Sequence, residues 1–207
     1  LARQVGAQAG ASMFAGYKRM AELIGHPWVR VILLTVFAEA AFFFGALSFV
    51  AFDLHHRFGL GLGASGSIVT AFAAGGLLYA GVARRLAAGL GERGLVLAGG
   101  LLLGAGFVAL LFIPHGIAAI PCLLAVGAGF YMLHNTLQVN ATQMAPEARG
   151  AALALFALCL FTGQSAGVWL AGRVADRMGT APLFLAAAIG LPILAFDFRR
   201  RLAYRKC

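Results

Sequence analysis

Residues 94–146 read GLVLAGGLLLGAGFVALLFIPHGIAAIPCLLAVGAGFYMLHNTLQVNATQMAP and contain no Asp, Glu, Lys or Arg. As one helix rising about 1.5 Å per residue, this stretch would extend roughly 80 Å, far more than the hydrocarbon core of one bilayer. Its middle, IPHG at residues 113–116, favours a turn, because proline continues a helix only at a large cost. The flanking runs, Gly94–Ile113 and Ile117–Thr136, are each about long enough to cross hydrocarbon and are apolar on nearly every face. The stretch therefore predicts a membrane hairpin.

The composition of the whole chain agrees with this prediction. The 207 residues are 61% hydrophobic and 11% charged, and the mean hydropathy is +0.89, as in polytopic membrane proteins. The formal charge of +9 does not indicate nucleic-acid binding, because the basic residues lie between and after apolar runs, where they orient helices. Three cysteines, Cys122, Cys159 and Cys207, lack CxxC spacing, so no disulfide or metal framework is expected.

Apolar runs divide the chain into candidate spans. They predict an all-α membrane protein with six transmembrane helices over residues 31–198, preceded by a loop or surface helix at 1–30 and followed by a basic tail at 199–207. A polar loop is predicted at Leu137–Gly150. Because no initiator Met or signal peptide is present, we expect the chain to be a piece of a longer protein. The spans are Val31–Phe52, Phe58–Ala83, Gly94–Ile113, Ile117–Thr136, Ala151–Ala171 and Ala181–Phe196.

The basic residues fall mainly on one side of these spans. Arg57, Arg173 and Arg177 lie on one side, and the other thirteen of the 16 Lys and Arg residues lie on the opposite side. Cytoplasmic loops carry the excess of positive charge, so both termini are predicted to be cytoplasmic.

Glycine pairs inside two spans predict close helix contacts. Gly100 and Gly104, and likewise Gly163 and Gly167, have the small-xxx-small spacing that allows backbones to approach.

Three motifs suggest chemistry but lack the context that it needs. The GLGASG sequence at residues 61–66 spells a dinucleotide fingerprint, yet no strand precedes it and no acidic residue follows at the required distance. Ser65 fits the nucleophile sequence of intramembrane serine proteases, but the last span contains no histidine to act as base. His55 and His56 have no third metal ligand beyond Asp53. No enzyme, cofactor or metal site is therefore expected, and the protease stays a remote alternative.

Two polar clusters inside apolar runs are candidate binding residues. The first contains His134, Asn135 and Gln138, where His134 and Gln138 are four residues apart and share a helix face. The second contains Gln164, within Thr162–Ser165. Polar side chains at this depth either form hydrogen bonds between helices or line a cavity, and the sequence leaves both alternatives open.

Glu39 is the one acidic residue inside a predicted span, near the bilayer midplane. A carboxylate there costs roughly 2.5–3.5 kcal/mol on insertion scales. No Lys or Arg lies in any span to pair with it, and His134 is the one titratable intramembrane candidate. Glu39 is therefore predicted to be a protonatable group that can take up and release a proton; the alternative is a neutral glutamate hydrogen-bonded to another helix.

The sequence GRVADRMG, at residues 172–179, carries a family resemblance. It resembles the Gly-x-x-x-Asp-Arg-x-Gly pattern of the major facilitator superfamily. The run from Tyr131 to Gly179 also resembles the last three spans of bacterial efflux members of that family. Gly172 and Gly179 would permit a tight reversal, Asp176 would cap the next helix, and Arg177 would pair with Asp176 or with lipid headgroups. The family's best-known copy of this pattern lies in a cytoplasmic loop between the second and third spans, whereas the copy at residues 172–179 lies on the predicted outer side. The loop at residues 81–85, which corresponds by internal repeat to that cytoplasmic loop, lacks the Asp.

The resemblance implies the C-terminal six-helix half of a twelve-helix transporter, close to the bacterial efflux members. Its implied partners are the bilayer, protons, a small organic substrate (drug-like or sugar-like), and a missing N-terminal half or a second copy. The implied location is the bacterial inner membrane. Glu39 would couple protons, while His134, Asn135, Gln138 and Gln164 would offer hydrogen bonds to the substrate. The alternative is a non-transporting six-span membrane protein with a structural or regulatory role.

Overall fold

The computed structural model describes residues 20–204, and these are helical with no β-strand among them. The described residues 20–25 are helical, and we refer to them as the leading helix. Short 3-10 turns lie at Gly116–Ala118 and Pro146–Ala148. The all-α fold class is confirmed. The helices that follow the leading one are α1 (Pro27–Leu47), α2 (Val50–Phe58), α3 (Leu62–Val69), α4 (Ala71–Leu111), α5 (Ala119–Gln143), α6 (Arg149–Met178) and α7 (Ala181–Tyr204).

Several helical segments are long and apolar enough to cross a membrane. Among the described residues there are five, with mean hydropathies between 1.7 and 2.3. This confirms a polytopic membrane fold. The segments are Pro27–Phe58, Leu62–Leu111, Gly116–Gln143, Pro146–Met178 and Ala181–Tyr204.

The long helix α4 is folded back on itself at Gly91. This glycine has φ 63° and ψ 176°, a backbone conformation that side-chain-bearing residues avoid. Before it, Gly75 lies against Leu124 of α5, and after it, Gly106 lies against Val126 of the same helix. In one straight helix Gly75 and Gly106 would be roughly 45 Å apart, so both could not reach the same part of α5.

The two parts of α4 therefore form antiparallel arms, the first arm (residues 71–90) and the second arm (residues 92–111). The second arm matches the third predicted span, Gly94–Ile113, closely. The second predicted span, Phe58–Ala83, overlaps the first arm only in part: it also includes α3, and the arm continues seven residues beyond it. Six crossings follow if each arm spans the bilayer, and that count stays a prediction.

The polar loop predicted at Leu137–Gly150 is wrong over its first half, because α5 continues to Gln143. Asn140 is fully buried, and its side-chain amide donates hydrogen bonds to the Glu92 carboxylate and to the Thr136 carbonyl. Because these hydrogen bonds satisfy the buried amide of Asn140, the helix can continue through this polar stretch beyond the apolar region.

Two other helix ends also extend beyond the predicted spans. The first span begins at Pro27, where the His26 ring nitrogen Nδ1 accepts the Trp28 backbone N–H at 3.3 Å. At the other terminus, α7 continues past Arg199–Arg201 to Tyr204. The basic tail is therefore helical up to that point, and residues 205–207 and 1–19 lie outside the described residues.

The predicted close helix contacts at the small-xxx-small pairs are confirmed. Gly163 and Gly167 lie against the backbone carbonyls of Phe37 and Ala41, which brings α6 onto α1. Gly100 and Gly104 of the second arm lie against α7, where a Cβ on Gly104 would stand 2.6 Å from Pro192 Cγ.

Contacts between turns assign them to two opposite ends of the bundle. At one end Arg57 Nη1 donates to the Leu110 carbonyl at 3.2 Å, and Gly116 lies against Leu60. At the other end Glu92 meets Asn140, and Met20 and Leu23 of the leading helix pack near Met144. Successive membrane-length segments therefore run antiparallel, with the two arms of α4 counted separately, as the predicted spans require.

A buried carboxylate joins three elements at the first of these ends. Asp53 is 4% exposed and accepts hydrogen bonds from Arg57 Nη1, at 3.0 Å, and from the Thr180 hydroxyl. Arg57 also donates to the carbonyls of Leu110 and Leu111, at the end of the second arm. These carbonyls have no partner within their own helix, so the guanidinium completes the helix end. Asp53 thus ties α2, the second arm and the turn before α7 together.

We expect Asp53→Ala to lower the stability of the purified protein by about 1–3 kcal/mol, since it leaves Arg57 and Thr180 without their shared acceptor. The measurement is the midpoint of thermal unfolding in detergent. Asp176→Ala is the matched control, because Asp176 is exposed and no described residue donates a hydrogen bond to it. Equal midpoints for the two variants would contradict the role assigned to Asp53.

Candidate functional site

An aromatic cluster fills the middle of the bundle, where α1, both arms of α4 and α5 meet. The Phe43 ring stacks on Phe130 with centroids 4.1 Å apart, and it also contacts Phe72 at 5.4 Å and Phe107 at 6.4 Å. Phe43 and Phe107 are fully buried. The cluster forms an apolar surface that excludes water, and a pair of polar side chains packs beside it.

That polar pair is Glu39 and His134. Glu39 Oε2 lies 2.9 Å from His134 Nδ1, a hydrogen-bond distance. The Glu39 side chain is fully buried, whereas 12% of the His134 side chain is exposed. The sequence identified His134 as a candidate partner of Glu39 but did not show whether the two are close. The structure places them in contact.

The register of two antiparallel helices produces this contact. Glu39 lies one turn before Phe43 on α1, and His134 lies one turn after Phe130 on α5. Because the helices run in opposite directions, the stacked phenylalanines place the carboxylate opposite the imidazole. The His134 ring lies parallel to Phe130, at 4.9 Å and 9°, and against Phe156 of α6 at 5.6 Å.

The pair is joined by a single hydrogen bond. The second oxygen of Glu39, Oε1, is buried and accepts no hydrogen bond from any described residue. Thr35, one turn away, donates instead to the Val31 carbonyl at 2.6 Å. A buried charge is costly unless it is paired, so an ionised Glu39 depends on His134 for its stabilisation. The same bond can also join a protonated carboxyl to a neutral imidazole.

The other predicted binding residues do not converge on this pair. Asn135 faces away from it and lines a pocket of about 430 Å³ between the arms of α4 and α5, together with Tyr79 and Glu92. Gln138 is exposed. Gln164 is half-buried on α6, next to the contact of Gly163 with α1. No described residue forms a hydrogen bond with these three side chains, so their roles as substrate ligands stay predictions.

Comparison with known protein families decides the family. The sequence model of the Major Facilitator Superfamily matches residues 4–168, well over half of the chain. The chain belongs to the major facilitator superfamily. It matches none of the curated proteins and none of the solved structures with which it was compared.

Membership makes the chain a membrane transporter of the facilitator type, in line with its apolar helices. Transport, rather than enzyme catalysis, is what members of this superfamily perform. The matched residues include Glu39 and His134 and extend through the contacts of α6 with α1.

The facilitator-like motif at residues 172–179 lies beyond the matched residues, and one role predicted within it is wrong. Asp176 is exposed inside α6, and the residue that precedes α7 is Thr180, whose carbonyl accepts the Leu183 N–H at 3.0 Å. The reversal itself takes place at Gly179, which has φ 76° as a tight turn requires. Asp176 fails as a cap because α6 continues beyond it to Met178.

The structure also locates the residues of the motifs that suggested other chemistries. Ser65 is fully buried, and its hydroxyl has no hydrogen-bond partner, histidine or otherwise, among residues 20–204. The His55 ring contacts the Leu60 carbonyl instead. No group of three metal-ligating side chains occurs within the same residues.

Phe130 and Phe156, which hold the His134 ring, were not predicted from the sequence. The signal for Phe130 was present, since it precedes His134 by one helical turn and faces the same way. Phe156 comes from a different helix, and no local spacing indicates it.

Proposed function

We propose that this facilitator chain is the C-terminal half of a proton-coupled transporter that exports a small organic molecule, drug-like or sugar-like. The observation that carries the proposal is the 2.9 Å hydrogen bond between the buried Glu39 carboxylate and the partly exposed His134 imidazole. The experiment that tests it is uphill, proton-driven transport by the Glu39→Gln variant.

The proposed coupling uses the different exposure of the two groups. His134 reaches the surface and exchanges protons with water, while Glu39 is enclosed and exchanges them through the imidazole. Proton exchange at Nδ1 makes or breaks the charge pair, and a buried charge without a partner is unfavourable. Protonation of the pair would thus bias which arrangement of the two halves is favoured.

Substrate recognition is assigned to polar side chains that have no partner among the described residues. Asn135 lines a pocket of about 430 Å³, within the range of small-molecule sites. Gln138 and Gln164 offer amide donors and acceptors at the surface of the half. We propose that all three form hydrogen bonds with the exported molecule when the transporter is complete.

The exposed face of α6 supports a further covering element. Leu158, Phe161 and Trp169 are each at least 60% exposed on this helix. Of the five membrane-length segments, the one that contains α6 is the least buried, at 22%. A second six-helix half, or a second copy of the chain, would cover this face in the complete transporter.

We place the basic end of the bundle in the cytoplasm of a bacterial cell, with the inner membrane as the location. The end that contains Glu92 carries most of the described arginines. The opposite end carries three, Arg57, Arg173 and Arg177. This asymmetry is the one that orients membrane helices.

We expect Glu147→Cys and Arg85→Cys to react with a membrane-impermeant maleimide only from the cytoplasmic side, and His56→Cys only from outside. All three side chains are exposed: Glu147 lies in the 3-10 turn before α6, Arg85 six residues before the break at Gly91, and His56 near the end of α2. Asn140, although near the cytoplasmic end, is buried and is not a suitable site. Labelling of His56→Cys and Glu147→Cys from the same side would overturn the orientation and the count of six spans.

A further inference from the structure

A continuous groove follows the seam between α1 and α7. It consists of three cavities of about 400, 570 and 390 Å³. Leu194 and Asp197 line both the first and the second cavity, and Phe42 and Ala186 line both the second and the third. The cavities therefore form one path from the basic end of the bundle towards the opposite end.

The mouth of the groove, at the basic end, lies between two arginines. Arg30 of α1 and Arg201 of α7 both line the first cavity. Arg201 Nε donates to Asp197 at 2.6 Å, which fixes the direction of the side chain. Its two Nη groups, and the whole Arg30 guanidinium, form no hydrogen bond with any described residue. Two guanidinium groups with unused donors on either side of one groove match the geometry of a phosphate group.

Beyond the mouth the walls are apolar. Ile189 and Ile193 line the second cavity and are 59% and 63% exposed. Gly190 lies against the Phe42 ring, and the absence of a side chain there allows the ring to lie close to α7. In a membrane-spanning bundle such exposed isoleucines face lipid chains rather than water.

We propose that this groove binds an anionic glycerophospholipid, with its phosphate between Arg30 and Arg201 and one acyl chain along Phe42, Ile189 and Ile193. The mouth carries two arginines against one carboxylate, that of Asp197, so its net positive charge selects an anionic headgroup, and the apolar walls accommodate the chain. Basic pockets between helices at the cytoplasmic face bind anionic headgroups in this way. The bound lipid would fill the seam between α1, which carries Glu39, and α7.

The test is native mass spectrometry of the purified protein with equimolar phosphatidylglycerol and phosphatidylcholine. We expect preferential retention of phosphatidylglycerol, and a loss of that preference by roughly tenfold or more in Arg30→Gln/Arg201→Gln. Arg85→Gln/Arg93→Gln is the matched control, because it removes the same charge at exposed positions that line neither this groove nor the pocket of Asn135. The control is expected to keep the preference within about twofold.

A second variant tests the acyl-chain part of the groove. Ala186→Phe places a ring where the second and third cavities join, and we expect it to reduce retention of both lipids. The thermal midpoint of each variant identifies any that has unfolded, and the arginine variants alter exposed side chains only. Equal losses in the two arginine pairs, or unchanged binding in a folded Ala186→Phe variant, would overturn the proposal. A change from one oligomeric state to another in Ala186→Phe, without loss of lipid, would identify the groove as a protein interface instead.

Discussion

Glu39→Gln is expected to abolish uphill transport driven by a pH gradient, while expression and substrate binding remain at wild-type levels. Glutamine has the size of glutamate and can still form a hydrogen bond with His134 Nδ1, so the contact between α1 and α5 is preserved. What the substitution removes is the proton that Glu39 can gain and lose. A transporter that cannot exchange this proton has no means of using the gradient.

The measurement uses the complete transporter, reconstituted in vesicles. Accumulation against a substrate gradient is followed with and without an imposed pH difference, and exchange of substrate at equal concentrations is followed in parallel. We expect accumulation by Glu39→Gln to fall to the level of protein-free vesicles, with exchange retained. Uphill transport equal to wild type would make Glu39 a structural residue and leave the proton coupling unexplained.

Replacement of His134 separates the two roles of the pair. His134→Ala leaves a buried carboxylate without its partner, and a single unpaired buried charge commonly costs about 3–5 kcal/mol. We therefore expect His134→Ala to lower both stability and coupling, and the double variant Glu39→Gln/His134→Ala to recover stability but not coupling. Gln138→Ala, at an exposed position of the same helix, serves as the control for stability alone.

Much of the architecture could be predicted because it depends on local composition. Runs of apolar residues indicate helices in a membrane, where every backbone group must be satisfied within the segment. The small-xxx-small pairs that begin at Gly163 and Gly100 also depend on local sequence. A glycine has no side chain, so it allows close approach of whichever helix packs against it.

The site was predictable in part. Glu39 was identified because a carboxylate in a span is costly. His134 was identified because it is the one titratable group in the other predicted spans that could pair with this carboxylate. Their 2.9 Å contact joins positions 95 residues apart, and it depends on how α1 and α5 pack. The same limit explains the error at Asp176. The carboxylate that contacts the turn before α7 is Asp53, and 127 residues separate it from Thr180.

The largest expected loss of stability without a change of charge is at Gly127. This glycine of α5 lies against the backbone carbonyl of Phe72 in the first arm of α4, and Gly75 lies in turn against the carbonyl of Leu124. A Cβ on either glycine would overlap a backbone oxygen, which cannot rotate away as a side chain can. The helices would have to separate, and the stacking of Phe72 and Phe43 on Phe130 would be disturbed.

We expect Gly127→Ala and Gly75→Ala each to cost about 2 kcal/mol, within the usual range for overpacking. For a chain of this length that lowers the unfolding midpoint by roughly 4–8 °C. A thiol-reactive fluorophore measures it in a Cys207→Ser background, because the half-buried thiols of Cys122 and Cys159 then react as the bundle opens.

Gly81→Ala is the matched control, in the same arm as Gly75. Nothing lies within 4 Å of the place that its Cβ would occupy. Alanine is the better helix former there by roughly 0.5–1 kcal/mol, so the control should leave the midpoint unchanged or raise it. The same chemical change is thus expected to act with opposite signs two turns apart on one arm. A midpoint that falls equally in both variants would show that helix propensity or backbone flexibility, and not contact with α5, determines the effect of these glycines.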